Sequence, residues 1–503
     1  MVCLFGMAFS SKKRITVIGG GFAGLASACS LASRGFEVDL LEKNATTGGR
    51  GRSFQSDGFT FDMGPSWYWM PGVFEEFFAR FGKSVSDYYE LTRLDPSYRV
   101  YFEDGSQLDI PADYTALRNE FEKLESGSGP KLDEFLSEAK VKYDVSMKDF
   151  VWKPSLSISE FMHPSLLRES FRLDLFSSFS KHARKYFQHP KILQLLEFPV
   201  LFLGAKPSGT PAMYSMMNYA DIKLGTWYPK GGMLKIAEAM TKLAVELGVR
   251  IHTDADVSKI LIDGKQATGV LYNNTHLPSD AIVAAADYQH VEQKLIDAPF
   301  RNYPENYWEK RTMSPSSLIF YIGVKRKLPG LLHHNLFFDE DFGEHANDIY
   351  DHKSWPDKPL FYLCCTSRTD DTVAPAGMEN IFILIPVATG LTSTEEDRKN
   401  YLHICLTRIK KHTGENIREE DIVYYRSYAH EEFSKDYNAY QGNAYGLANT
   451  LKQTAILKPK MQNKKVKNLF YAGQLTVPGP GVPPSIISGQ IAASEVSQYL
   501  QHH

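Results

Sequence analysis

"RITVIGGGFAGLASACSLASRGFEVDLLEKNATTGGRGRS", residues Arg14 to Ser53, decides the fold class. "RITVI" and "FEVDLL" are short apolar runs, as strands covered on both faces by helices require. Between them, "FAGLASACSLASRG" has helical spacing. The three pieces make a strand–helix–strand unit, so a parallel sheet wrapped by helices is expected. Gly19, Gly21 and Gly24 fall at the first strand-to-helix turn in the spacing G-x-G-x-x-G. Glycines there allow a tight turn and close approach of backbone N–H groups to a pyrophosphate, which the helix N-terminus then faces. Phe22 and Ala23 belong to that first helical turn. Glu42 ends the second strand, where a carboxylate accepts hydrogen bonds from ribose hydroxyls, and Lys43 follows it. A dinucleotide with an unphosphorylated ribose is implied.

A second cluster, Gly48 and Gly49 in "GGRGRS", follows the acid at once. Such a loop lets the backbone approach the far half of an extended cofactor, and Arg50 adds a fixed positive fork. Nicotinamide enzymes have no general need for this loop, whereas a buried flavin does.

Taken with Leu25, Ala28, Leu31 and Ser53, this pattern resembles the flavin-binding signature of the amine oxidase and phytoene desaturase superfamily. Further stretches resemble bacterial-type phytoene desaturases, the carotenoid desaturase branch. They are "DGFTFDMGPSWYWMP" with Gly64 and Pro65, "YPKGGM" at Tyr228–Met233, and "NLFYAGQLTVPGPGVPPSIISGQIAA" near the C-terminus. The resemblance implies non-covalent FAD, held by Gly19, Gly21, Phe22, Ala23, Gly24, Glu42, Lys43, Gly49, Arg50, Gly64, Pro65, Val257, Gly473, Gln474 and Val482. Val257 would meet adenine through its backbone, and the two glycine clusters would hold opposite ends of one FAD. The chain departs from the family's usual "GAGTHPGAGIPG" at Gln474, Leu475 and Pro484, which bears on the shape of the flavin pocket. A helix starting near Ser485 would aim its positive end at the flavin.

The implied fold is α/β: a Rossmann-like FAD-binding domain with an inserted α+β substrate domain and a helical, membrane-facing segment. The boundaries read as 12–80, 226–300 and 462–503 for the first domain, and 81–225 and 301–461 for the second. "SSLIFYIGV" and "NIFILIPVA" read as short strands of the second. The implied activity is dehydrogenation of a phytoene-like carotenoid hydrocarbon to lycopene or a related polyene. Alternatives are another carotenoid desaturase or isomerase, a retinol saturase-like enzyme, an amine oxidase, or a prenyl-binding protein like the GDP dissociation inhibitors. Quinone or oxygen are the candidate electron acceptors.

Desaturation needs loss of a hydride, which a flavin takes, and of a proton, so no strong nucleophile is required. No acid–base constellation stands out, and no catalytic residue is assigned. A hydrocarbon must be held by apolar burial in a tunnel, which 31 Phe and 27 Tyr can help to line. The 503 residues carry 56 Lys plus Arg against 59 Asp plus Glu, so no charge excess points to nucleic acid. Five cysteines (Cys3, Cys29, Cys364, Cys365, Cys405) lack metal-ligand spacing, suit a reducing compartment and predict neither disulfide nor metal site. Adjacent Cys364 and Cys365 would strain a disulfide. His333 and His334 read as surface or core filler, and His182, Arg184 and Lys185 as a solvated helix face.

"MVCLFGMAFSSKKR" lacks a basic n-region and a cleavage site, so it does not read as a signal peptide. No spanning helix is expected. A cytoplasmic protein docked on the membrane surface is expected, with Ser165–Leu203 as the docking element because it combines apolar and cationic residues.

Overall fold

The strand–helix–strand unit of Arg14–Ser53 lies at the centre of a five-stranded parallel sheet. The computed structural model describes residues 12–155, 177–201, 204–450 and 452–502. The strand order is Leu469–Tyr471, Ala281–Ala284, Arg14–Ile18, Glu37–Leu41, Arg250–His252. Val17 lies opposite Leu40 on one side and Val283 on the other. Strands so far apart in sequence must be joined by long crossovers, and most of the remaining chain lies in those connections.

The helix Phe22–Ala32 is buried over nearly its whole length, because the C-terminal helix Val482–Gln501 covers the side that the sheet leaves open. Its run of Ala, Gly and Ser makes this possible. A Cβ added at Gly489 would lie 2.2 Å from the Ala23 carbonyl oxygen, so the two helices cross backbone on backbone. Ser27 Oγ donates to the Gly489 carbonyl at 2.9 Å across that crossing.

A second sheet has seven strands in the order Ile422–Tyr428, Ser316–Val324, Glu379–Val387, Phe361–Cys364, His334–Phe338, Tyr98–Phe102, Gln107–Ile110. All pairs are antiparallel except His334–Phe338 with Tyr98–Phe102. The segments expected as short strands, Ser316–Val324 and Glu379–Val387, run nine residues each and pair along their full length. Every residue of Ser316–Val324 is buried, so an unbroken apolar run marked a central strand covered on both faces. A three-stranded antiparallel sheet, Val257–Pro278, adjoins the parallel sheet.

The expected docking stretch is corrected in part. Residues 165–176 and 202–203 lie outside the described residues. In the described helices Phe179–Tyr186 and Pro190–Leu201, the apolar residues Phe179, Ala183, Leu193, Leu196, Phe198 and Val200 face the core. An amphipathic pattern marks a face that must be covered, and here protein covers it. His182, expected on a solvated face, is buried too, with Nε2 3.3 Å from Lys142 Nζ. Among the described residues, no helix is long and apolar enough to cross a membrane. Cys29, Cys364, Cys365 and Cys405 are all free thiols.

Candidate functional site

A cavity of about 1050 Å³ is lined by residues of both large sheets and has two chemically distinct halves. The first is built on the glycine turn. Gly19 has φ +100°, and a Cβ there would lie 3.0 Å from the Ala285 carbonyl oxygen. Gly24 has a different duty from the expected one. It does not line the cavity, and a Cβ on it would lie 1.8 Å from the Gly19 carbonyl oxygen. Its bare backbone lets the first helical turn close onto the strand, while Gly19, Gly21, Phe22 and Ala23 line the space.

The two glycine clusters were expected at opposite ends of one ligand, yet they touch. The Gly48 N–H donates to the Gly20 carbonyl at 2.8 Å, and Gly21 and Gly48 pair as a parallel bridge. A Cβ on Gly49 would stand 3.1 Å from the Gly21 Cα. Left-handed backbone at Gly48 (φ +108°) and Gly49 (φ +55°) turns the loop after Glu42 back onto the first turn, so both clusters make one cradle. Glu42 holds it from below: one carboxylate oxygen accepts from Gly20 N–H at 2.7 Å, the other from Asn44 N–H at 2.9 Å. Lys43 Nζ donates to the Lys435 carbonyl and to Asn438 Oδ1, and Val257 lines the cavity beyond Glu42.

Arg50 is half-buried and fixed from several sides. Its Nη2 donates to the Asn443 carbonyl at 3.1 Å, and its guanidinium lies over the Tyr437 ring at 5.2 Å. With its amide oxygen turned toward Arg50, Gln474 accepts from both terminal nitrogens at 3.1 and 3.2 Å. Burial pushes the Asp287 carboxyl up and the Arg50 guanidinium down, and each charge counters the shift of the other. Asp287, Tyr437 and Asn443 went unseen in the sequence. The signal available was an acid closing the buried run "AIVAAAD", where parallel strands present ligand-facing ends.

Gly64, Pro65, Gly473, Gln474 and Val482 also line the cavity. The last helix begins at Val482, three residues before the expected Ser485. Pro483 and Pro484 have no N–H, and the Ser485 N–H bonds the Gly481 carbonyl at 3.0 Å. Of the first turn, only the Val482 N–H is left to meet a ligand.

The other half of the cavity is apolar. Trp67, Trp69, Met147, Phe150, Val151, Met213, Tyr214, Met216, Met217 and Ile456 line it. The ionisable lining residues Lys43, Asp256, Asp287, His290 and Asp436 gather with Glu42 and Arg50 at the glycine half, so the apolar half offers no charged acid–base pair among the described residues. Beside the loop at Gly479, the buried Lys458 Nζ and Asn449 Oδ1 have no hydrogen-bond partner, and burial lowers Lys458 to about 7.

The residues present fit FAD. A bare backbone cradle at a helix N-terminus suits a pyrophosphate, Glu42 stands where a ribose is expected, and the buried Arg50 Nε lacks a partner.

Comparison with known proteins agrees with this geometry. The family model described as flavin containing amine oxidoreductase matches residues 22–497. The chain is 41% identical over 487 residues to a carotenoid 3,4-desaturase of Haloarcula japonica, covering 96% of this chain and 98% of that protein. It is 32% identical over 493 residues to a zeta-carotene-forming phytoene desaturase of Myxococcus xanthus, covering 97% and 95%. A solved structure of putrescine oxidase bound to putrescine has the same fold, with a TM-score of 0.63 at 13% identity over 97% of this chain and 99% of that one.

Proposed function

Because the chain belongs to the flavin-containing amine oxidoreductase family, as an FAD-dependent carotenoid desaturase, we propose that it dehydrogenates a phytoene-like hydrocarbon to lycopene or a related polyene. The observation that carries this reading is the single cavity with a glycine-lined half and an apolar half. FAD, when bound, accepts a hydride from a CH–CH bond.

The chain's own residues then have separate duties. The N–H groups of the Gly19–Ala23 turn face the pyrophosphate, Glu42 the ribose and the Val257 backbone the adenine. Gly49 joins that turn at the pyrophosphate, Arg50, Gly64, Pro65, Gly473, Gln474 and Val482 surround the ring end, and Lys43 braces the ribose side. Gly24 serves by closing the turn. The methionines and aromatic rings of the apolar half hold the hydrocarbon by area alone, at about 25 cal/mol per Å² of apolar surface buried, and exclude water. Residues 12–80, 226–300 and 462–503 form the FAD-binding domain and 81–225 with 301–461 the substrate domain; the parallel strands fall in the first set and the seven-stranded sheet in the second.

A substrate insoluble in water enters from lipid, so the enzyme works at the membrane surface on the cytoplasmic side, with quinone or oxygen as electron acceptor. The higher identity to a 3,4-desaturase favours a second reading, a later desaturation of an already conjugated carotenoid.

Expression in cells that accumulate phytoene tests both substrate and place. Coloured polyenes by chromatography, with the protein in the membrane fraction, are expected. Unchanged phytoene beside flavin-loaded protein overturns the first reading, and conversion of only a more unsaturated precursor supports the second. Protein wholly in the soluble fraction removes the membrane proposal.

A further inference from the structure

Beside Trp67 and Tyr362, two histidines and a cysteine converge. His333, His334 and Cys364 are buried, and one ligand atom of each lies within 4.8 Å of the other two. Strand register brings them there: His334, at the start of His334–Phe338, pairs with Cys364 at the end of Phe361–Cys364. The two imidazole rings stand 4.5 Å apart at 70°.

Each ring spends its Nδ1 on an oxygen. His333 Nδ1 is 2.9 Å from Thr369 Oγ1, and His334 Nδ1 is 2.6 Å from the Tyr362 hydroxyl. Each Nε2 is buried without a hydrogen-bond partner. A buried imidazole nitrogen without a partner loses the hydrogen bond it would make in water, and here two such nitrogens belong to neighbouring rings beside a thiol. If both Nδ1–H groups donate to their oxygens, both Nε2 lone pairs point inward, the tautomer that a metal-binding histidine adopts when its other nitrogen is held.

We propose that His333 Nε2, His334 Nε2 and Cys364 Sγ bind a transition-metal ion of the zinc class, with the fourth position open to water or another ligand. Ligands at about 2.0–2.3 Å from a tetrahedral zinc stand roughly 3.5 Å from one another, and one ligand atom of each of these three residues lies within 4.8 Å of the others. On binding, the thiol gives up its proton and the metal–sulfur bond replaces the S–H bond, with no change of oxidation state. Zinc with one thiolate leaves a single positive charge. The carboxylates that act on the cluster, Asp370 on His333 and Asp62 on Cys364, are placed to balance it. Thr369, which holds His333, is exposed. His334 stacks on Trp67 at 4.1 Å and 9°, so a bound ion would also fix one wall of the cavity.

The test uses holoenzyme made in zinc-supplemented medium, dialysed and submitted to elemental analysis, and then the same protein made with Co²⁺. About one metal per chain is expected. Tetrahedral Co²⁺ bands to the red of the flavin absorption, with thiolate character, are also expected. Cys364→Ser combined with His333→Gln should abolish both while flavin content, as the check on folding, is kept. Thr369→Val, which leaves all three ligands, should weaken the metal about 10- to 100-fold. Metal-free wild-type protein with no Co²⁺ bands overturns the proposal, as does a double variant that keeps them. Should the double variant not fold, the wild-type spectrum decides alone.

Discussion

The two halves of the cavity are built on opposite principles. At the glycine half, backbone groups point, and the partners are close in sequence: Gly20 bonds Glu42 and Gly48, and Glu42 bonds Asn44. At the apolar half no direction matters. Its wall comes from Trp67, Met147, Phe150, Val151, Met213, Met216, Met217 and Ile456, carried by several separate parts of the chain. A charged, rigid group demands aimed donors at short range, whereas a hydrocarbon demands only area, which any buried segment can supply.

If the halves are this separate, substitutions should sort by half. Gly24→Val has the largest expected effect, because its side chain meets the Gly19 carbonyl. A loss of about 3–5 kcal/mol is expected in thermal or denaturant unfolding. Gly21→Val, three residues earlier, has no atom nearer than 3.8 Å to its Cβ. That variant should fold and lose flavin about 100-fold, an outcome read from absorbance per chain. Wild-type flavin content there would show that the cradle has been misread.

In the other half, Met213→Asp should keep flavin content and lower turnover by about tenfold or more, since a carboxylate in an apolar path must be desolvated. Equal losses of flavin and turnover would join the halves that the geometry separates.

The smallest effect is expected at Lys458, beside the Gly479 loop. Lys458 is buried and its pKa falls to about 7 from an ordinary 10.5. Between those values the unfolded chain binds more protons than the folded one, so stability rises with pH from about 7 to about 10. Below about 7 both states are protonated, and the full penalty of the buried charge is present. Lys458→Met should flatten that rise in the apoprotein and stabilise it at neutral pH by about 1–2 kcal/mol. An unchanged slope would assign the rise to another group.

What could be read from the chain follows the same division. Gly19, Gly21 and Glu42 were legible because a strand, a tight turn and a helix place them within one local unit, where spacing alone dictates geometry. Even there, contact between the two clusters escaped, since the positive φ of Gly48 and Gly49 redirects the loop without leaving a mark beyond the glycines themselves. In the stretch expected to dock, the described helices Phe179–Tyr186 and Pro190–Leu201 turn apolar residues to the core for a different reason. An amphipathic pattern states that one face must be covered, not whether lipid or protein covers it.

Sequence by itself determined the parallel sheet, the phosphate-facing turn and the carboxylate opposite it, because each depends on residues a few positions apart. Tertiary structure alone decided that Asp287 and Gln474 flank Arg50, that methionines from distant segments share one wall, and that His334 faces Cys364 across a strand pair. Strand register and helix crossing set those meetings, and both are properties of the packed whole, since no short stretch contains the partner that fixes it.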